Sequence, residues 1–293
     1  MRIVVAGASG FLGRHIVRAL TGRGDSVTTL VRRAPAASHE QAWNPATGVL
    51  PAAALDGAEA VINLCGAGIA DRRWTASRKA VLQSSRIEPT TLLAAACARH
   101  GVPAFISGSA VGFYGDRGDE VVTESTGRGD GFLAQLCADW EDATVTASDG
   151  GVRVVRLRTG LVLGPDGGML PRVRLLTLAM LGGRLGSGRQ WWPWISVADY
   201  SAAILFLLQS TASGAINMTA PQPVTNATFT AQLAAVLHRP APWVIPNFAI
   251  RAALGEFAGG VLGGQRAVPQ ALLNAGFGFL HPDLKTTLCA FAL

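Results

Sequence analysis

The feature that most constrains this chain is VVAGASGFLGRHI at residues 4–16, where Gly7, Gly10 and Gly13 separate an aliphatic run from an amphipathic one. A strand buried on both faces of a parallel sheet reads as an unbroken aliphatic stretch, as Arg2 to Ala6 does. A helix that starts just after such a strand presents unpaired N–H groups and the positive end of its dipole. Small residues between the two permit a tight turn and let a phosphate approach the backbone. The spacing is GxxGxxG, not the GxGxxG of the dinucleotide fingerprint, but the strand before it and the helix after it are the context that motif requires. The structural alternative is a tight turn that holds no ligand.

Strand and helix patterns continue to alternate. Val27 to Val31, Ala60 to Leu64, Ala104 to Ser107 and residues 152–157 read as strands, with helices over Gly10 to Thr21, Thr90 to His100 and 132–148. This is the alternation of βαβ units, so the fold class is α/β, a Rossmann-type doubly wound parallel sheet. After Gly164 the pattern loosens, and GGRLGSGRQWWPW reads as a loop that lines a pocket. A helix over Val197 to Gln209, with Asp199 as its N-cap, and a late strand at Ala215 to Met218 return to the sheet. The expected division is a nucleotide-binding domain over 1–164 rejoined by 196–218, and a smaller, mainly helical substrate lobe made of 165–195 and 219–293.

Composition narrows the function classes. No apolar run approaches the roughly 20 residues of a membrane span, and the N-terminal run meets Gly7 too soon for a signal peptide. A cytoplasmic protein with no membrane partner is expected. The four cysteines form no CxxC pair and read as buried free thiols, and no metal site is expected. The net charge of +6 comes from arginines lying singly or in pairs, without the basic block of a nucleic-acid binder.

The second strand would end at Arg32 and Arg33, about where the dinucleotide fold reads the ribose. An acid there bonds the 2′-hydroxyl; two guanidinium groups with no partner of their own suit a 2′-phosphate. NADP(H) is therefore the expected cofactor. The alternative is a solvated basic strand end. Gly7, Ser9, Gly10, Phe11, Leu12, Gly13, Arg32 and Arg33 form the candidate cofactor set.

The chain resembles the extended short-chain dehydrogenase/reductases, in an atypical branch known as the epimerase family and related to nucleotide-sugar epimerases. The resemblance covers nearly the whole chain. It is carried by GASGFLG (7–13), NLCGAGI (63–69), RRW (72–74), SRIEPT (85–90), SGSAVGFYG (107–115), DWE (139–141), RTGLVLG (158–164), GSGRQWWPWISVAD (186–199), NMTAP (217–221) and LGGQRAVPQALLNAGFGF (262–279). It implies NADP(H) along the C-terminal strand edge, Asn63 and Leu64 beside the adenosine, and Lys79, Ser85 and Arg158 facing the cofactor.

One departure from the wider superfamily is plain. Those reductases use a Tyr whose pKa is lowered by a Lys four residues later. The two tyrosines here, Tyr114 and Tyr200, are followed at that spacing by Gly118 and Ile204. Where the pair should fall, Phe132, Leu133, Leu136 and Cys137 stand instead. The candidate substitutes are Ser109, placed where the superfamily has a substrate-bonding Ser, and Tyr114 near the end of the same strand. Both also read as buried structural hydroxyls. Trp191, Trp192 and Trp194 read either as pocket lining or as packing. No His pairs with an acid at a recognisable spacing.

The functional expectation is an NADP(H)-dependent oxidoreductase or epimerase-like enzyme acting on an unknown small molecule. The alternative is a catalytically silent NADP(H)-binding sensor or interaction protein.

Overall fold

The structure, a computed structural model, describes residues 1–292. Its seven-stranded sheet comprises β1 (Arg2–Ala6), β2 (Ser26–Val31), β3 (Glu40–Ala42), β4 (Ala60–Asn63), β5 (Ala104–Ala110), β6 (Arg153–Thr159) and β7 (Gly214–Met218). The spatial order is β3-β2-β1-β4-β5-β6-β7. The order reverses at β1, which pairs in parallel with β2 on one side and β4 on the other. That reversal is the place where an open α/β sheet leaves a crevice at its carboxyl edge. Register aligns Leu30, Ala6, Asn63 and Ser107 in one row across four strands.

The chain forms two compact units. The first is Met1–Ser109, Leu136–Leu157 and Ser201–Ile216; the second is Ala110–Gln135, Arg158–Tyr200 and the chain from Asn217 on. The expected boundaries differ from these, because 110–135, 158–164, 196–200 and 217–218 fold with the second unit. Within the first unit, Val4, Ala6, Leu93, Cys97, Phe105 and Val154 share one buried cluster. In the second, Trp194, Phe229, Leu233 and Leu288 are fully buried together.

Helices α1 (Phe11–Gly22), α2 (Ala76–His100), α3 (Phe132–Asp142) and α4 (Val145–Asp149) accompany the sheet. Helix α2 begins well before the expected Thr90 and contains Pro89. Proline removes one backbone donor. Burial of Leu82, Leu93, Ala94 and Cys97 along the same helix outweighs that loss. The single helix expected over 132–148 is divided in two. Both the N–H and the Oγ1 of buried Thr144 bond the Glu141 carbonyl, which closes α3.

The second unit holds α5 (Leu170–Leu178), α7 (Asn226–Val236) and α8 (Asn247–Leu254); α6 (Val197–Gln209) starts in it and ends in the first. GGRLGSGRQWWPW is more regular than expected, with short strands Gly183–Leu185, Trp191–Trp192 and Trp194–Ser196. Trp192 and Trp194 pack in the core. Cys289 is exposed and Cys65 half-buried, which corrects the reading of every thiol as buried.

Candidate functional site

The three glycines of the first turn have different structural roles. Gly7 has φ +83°, and a Cβ there would lie 2.7 Å from the Leu64 carbonyl atoms. A Cβ on Gly13 would meet the Gly7 carbonyl oxygen at 2.2 Å. Both positions need glycine for the fold itself. Gly10 is exposed, has φ −70°, and a Cβ there would meet only the Gly7 oxygen, at 3.4 Å. The fold tolerates a side chain at Gly10, which would project into open space. Helix α1 starts there with no side-chain cap and no acid in its first turn. Its N–H groups and dipole are therefore available to an anion. Ser9 is exposed, with its carbonyl bonded by the Arg14 guanidinium at 3.1 Å; Phe11 meets His15 edge-on, and Leu12 is half-buried.

At the end of β2 the two arginines differ. Arg33 forms a bidentate pair with Glu40, at 2.8 and 2.6 Å. That pair holds the Glu40 carboxyl down to about 2. The expectation that both guanidinium groups lack partners is therefore corrected for Arg33, because strand β3, absent from the sequence reading, brings Glu40 alongside it. Arg32 is exposed and forms no hydrogen bond or ion pair among the described residues. It opposes the burial that pushes the Cys65 thiol up to about 12. Its charge thus acts on the loop beyond β4, at the strand edge where β1 opens into the glycine turn.

The segment after β4 is tightly bonded. Buried Asn63 donates through Nδ2 to Thr90 Oγ1 at 2.8 Å and accepts the Cys65 N–H at 3.1 Å. Leu64 donates its N–H to the Ala6 carbonyl. Ser85 accepts the Ala67 N–H at 3.0 Å. Lys79 is half-buried in the first turn of α2, which Thr75 caps. Asn63, Leu64 and Ser85 shape the loop beside the turn.

Helix α3, where the Tyr/Lys pair is missing, carries the acid Glu141. Ser109 donates through Oγ to Glu141 Oε1 at 2.7 Å, and both side chains are buried. Ser109 lies two residues past Ser107 on the same face of β5, beyond the aligned row of strand ends. Glu141 escaped the sequence reading although DWE was noticed. It stands four residues after Cys137, on the same helix face as the apolar positions, and a carboxylate on such a face was the available signal.

Tyr114 belongs to another cluster, within the second unit. It is completely buried, donates to Asn217 Oδ1 at 2.7 Å and accepts from Arg158 at 3.0 Å. Burial raises its pKa despite the Arg158 charge. The Arg158 guanidinium also lies 3.6 Å from the centre of the Phe113 ring. Tyr114 and Arg158 are thus committed to each other.

Asp199 is not the N-cap of α6. Ser196 caps it, accepting the Asp199 N–H at 2.9 Å. The buried Asp199 carboxylate accepts the N–H groups of Leu280 and His281 and the Ser196 hydroxyl. His281 Nδ1 lies 3.8 Å from it, an association that no sequence spacing revealed. The Ser bonds the acid directly, so this is a structural clamp and not a triad, in which the His would stand between them. A cavity of about 280 Å³ is lined in the second unit by Asp116, Asp119, Ser187, Arg189, Gln190 and Gly264.

The fold is shared with known proteins. The model of the NAD dependent epimerase/dehydratase family matches residues 3–219, and a domain of unknown function (DUF1731) matches 245–291. An epimerase family protein of Mycobacterium bovis is 50% identical over 288 residues, covering 98% of this chain and 96% of the relative. The crystal structure of the human epimerase family protein SDR39U1 with NADPH superposes with a TM-score of 0.91 at 31% identity, covering 100% of this chain and 99% of that one. A nucleoside-diphosphate sugar epimerase from Corynebacterium glutamicum gives a TM-score of 0.81 at 35% identity, covering 100% of this chain and 58% of that one.

Proposed function

The chain belongs to the NAD dependent epimerase/dehydratase family, and on that premise we propose that it is an NADP(H)-dependent oxidoreductase or epimerase-like enzyme in which Ser109 and Glu141 replace the absent Tyr/Lys pair. The glycine turn and the uncapped start of α1 suit the pyrophosphate, and Arg32 suits a 2′-phosphate. The human relative bound to NADPH supports the same choice of nucleotide. Gly7, Ser9, Gly10, Phe11, Leu12, Gly13 and Arg32 would form the first contacts, with Asn63, Leu64, Lys79 and Ser85 shaping the loop alongside.

Bound NADP(H) supplies or accepts the hydride. The chain's own task is the proton. The Ser109 hydroxyl points its hydrogen at Glu141, which leaves the oxygen lone pairs to take a proton from a substrate alcohol while the Ser proton passes to the carboxylate. In the direction of reduction the same two transfers reverse. The observation that carries this reading is the 2.7 Å bond between the two buried side chains.

The test measures NADPH oxidation against a panel of carbonyl compounds. Glu141→Gln and Ser109→Ala should each lower turnover by about 10²–10⁴, with NADPH affinity unchanged. The double variant should be no worse than either single one, because the two act as a unit. Turnover unchanged in both single variants would refute the assignment. A second reading, a nucleotide-bound module without turnover, is favoured by one observation: the hydroxyls of Ser109 and Tyr114 are both already bonded internally. Tight NADPH binding with no carbonyl reduced would establish that second reading.

A further inference from the structure

Large apolar side chains stand exposed together on the second unit. Phe248 is 75% exposed, Leu175 67%, Leu181 61% and Trp243 58%, with Leu176 and Met180 also open. Hydrogen bonds and a strand pairing link the segments that carry them. The Leu181 N–H bonds the Leu176 carbonyl, and the Trp243 indole N–H bonds the Met180 carbonyl at 2.8 Å. Strand Gly183–Leu185 runs parallel to Trp243–Ile245, which sets Arg184 opposite Val244. Pro246 then leads into α8, which carries Phe248.

The charges around this surface have one sign. From residue 167 to residue 255 the chain contains a single acid, Asp199, and that carboxylate is fully buried. The flanking acids are Asp166 and Glu256. Exposed arginines adjoin the apolar residues: Arg172 lies one turn before Leu175 and Leu176 on α5, Arg251 one turn after Phe248 on α8, and Arg184 opposite Val244. None of these three forms an ion pair among the described residues.

We propose that this face of the second unit docks on the surface of an anionic lipid bilayer. A second copy of the same face is disfavoured, because arginine would meet arginine with no acid between them. Side chains as exposed as Phe248, Leu175 and Leu181 suit a deformable apolar medium. Leu, Met, Phe and Trp entering the boundary between headgroups and acyl chains, flanked by cations that meet the lipid charge, is the physics of interfacial binding. The proposal concerns a peripheral contact; among the described residues no helix is long and apolar enough to cross a membrane. It does not depend on the assignment of Ser109 and Glu141.

The test is co-sedimentation of the full chain with vesicles of phosphatidylcholine alone and with 30% phosphatidylglycerol. Binding should be at least ten-fold stronger on the anionic vesicles and should weaken sharply at high salt. Loss of each arginine near a lipid surface corresponds to about a five-fold weaker partition. Arg172→Glu combined with Arg184→Glu should therefore weaken it by roughly twenty-five-fold or more, and Phe248→Ser combined with Leu175→Ser by about ten-fold or more. Arg18→Glu, equally exposed in the first unit, should change binding less than two-fold. Because the altered side chains are exposed, melting temperature and NADPH affinity should hold in every variant. Three results would overturn the proposal: no preference for anionic vesicles, binding indifferent to these variants, or sedimentation equilibrium showing a dimer that the same substitutions dissociate.

Discussion

The glycine turn and the Tyr114–Arg158 cluster handle polarity in opposite ways. At the turn, backbone donors are left uncapped and a neighbouring arginine, Arg32, has no partner among the described residues. In the cluster, the phenol lies between Asn217 and Arg158, and the Arg158 guanidinium covers an aromatic ring. A buried polar group left unmatched costs about 1–3 kcal/mol, so saturation like that of the cluster is what a structural core requires. Open donors at a strand edge carry no such cost while water reaches them, and they await an anion. The difference teaches that residues near a nucleotide fold are better sorted by whether their hydrogen bonds are spent than by their type.

The largest effects should separate the glycines within the turn. Gly10→Val should lower NADPH affinity more than about 100-fold, the scale of two strong hydrogen bonds to phosphate, while the melting temperature stays within a few degrees. Gly13→Val should instead prevent stable folding, since its Cβ would overlap the Gly7 oxygen. If both variants fold equally well and both lose the nucleotide, the distinction between ligand space and packing space fails.

Next in size is the closed cluster. Arg158→Ala should destabilise the protein by about 2–4 kcal/mol in urea unfolding, because the Phe113 ring is uncovered and buried acceptors go unmatched. The folded fraction should bind NADPH almost normally. A large loss of affinity without loss of stability would move Arg158 into the cofactor site that the family resemblance implied for it.

Arg32 and Arg33 offer a finer comparison on the open side. Arg32→Asp should reduce or invert the preference for NADPH over NADH, by about 1.5–3 kcal/mol if one charge-assisted phosphate bond is lost. Arg33→Ala should change it less, because Glu40 already occupies that guanidinium. Equal affinity of the unaltered protein for both nucleotides would end this reading.

The smallest effects belong to the tyrosine hydroxyls. Tyr114→Phe should cost about 0.5–1.5 kcal/mol of stability and leave any turnover unchanged. Burial raises Tyr114 and pushes Tyr200 up to about 12. The unfolded chain ionises its tyrosines at roughly 10, so the protonated phenols favour the folded state below that pH. That contribution disappears as pH rises through the folded-state values. The urea midpoint should therefore be steady through neutrality and fall above about pH 10. A midpoint unchanged to pH 11 would show that these phenols are not sequestered.

By itself the sequence determined the turn and every strand of the sheet except β3. Aliphatic runs and helical periods are local signals, and a glycine between strand and helix restricts the backbone wherever the rest of the chain goes. It also showed that the Tyr/Lys pair was missing, since an absent residue type needs no coordinates. Only the tertiary structure decided which polar group meets which. Glu40 reaches Arg33 across 7 positions through a short strand that carries almost no periodicity. Ser109 meets Glu141 across 32, and Tyr114 meets Asn217 across 103. Helix α2 runs through Pro89 because buried neighbours compensate for the lost hydrogen bond, a balance that propensity cannot register. The physical reason is common to these cases: residue type sets how many bonds a side chain can make, whereas the path of the chain sets which groups come within 3 Å of it.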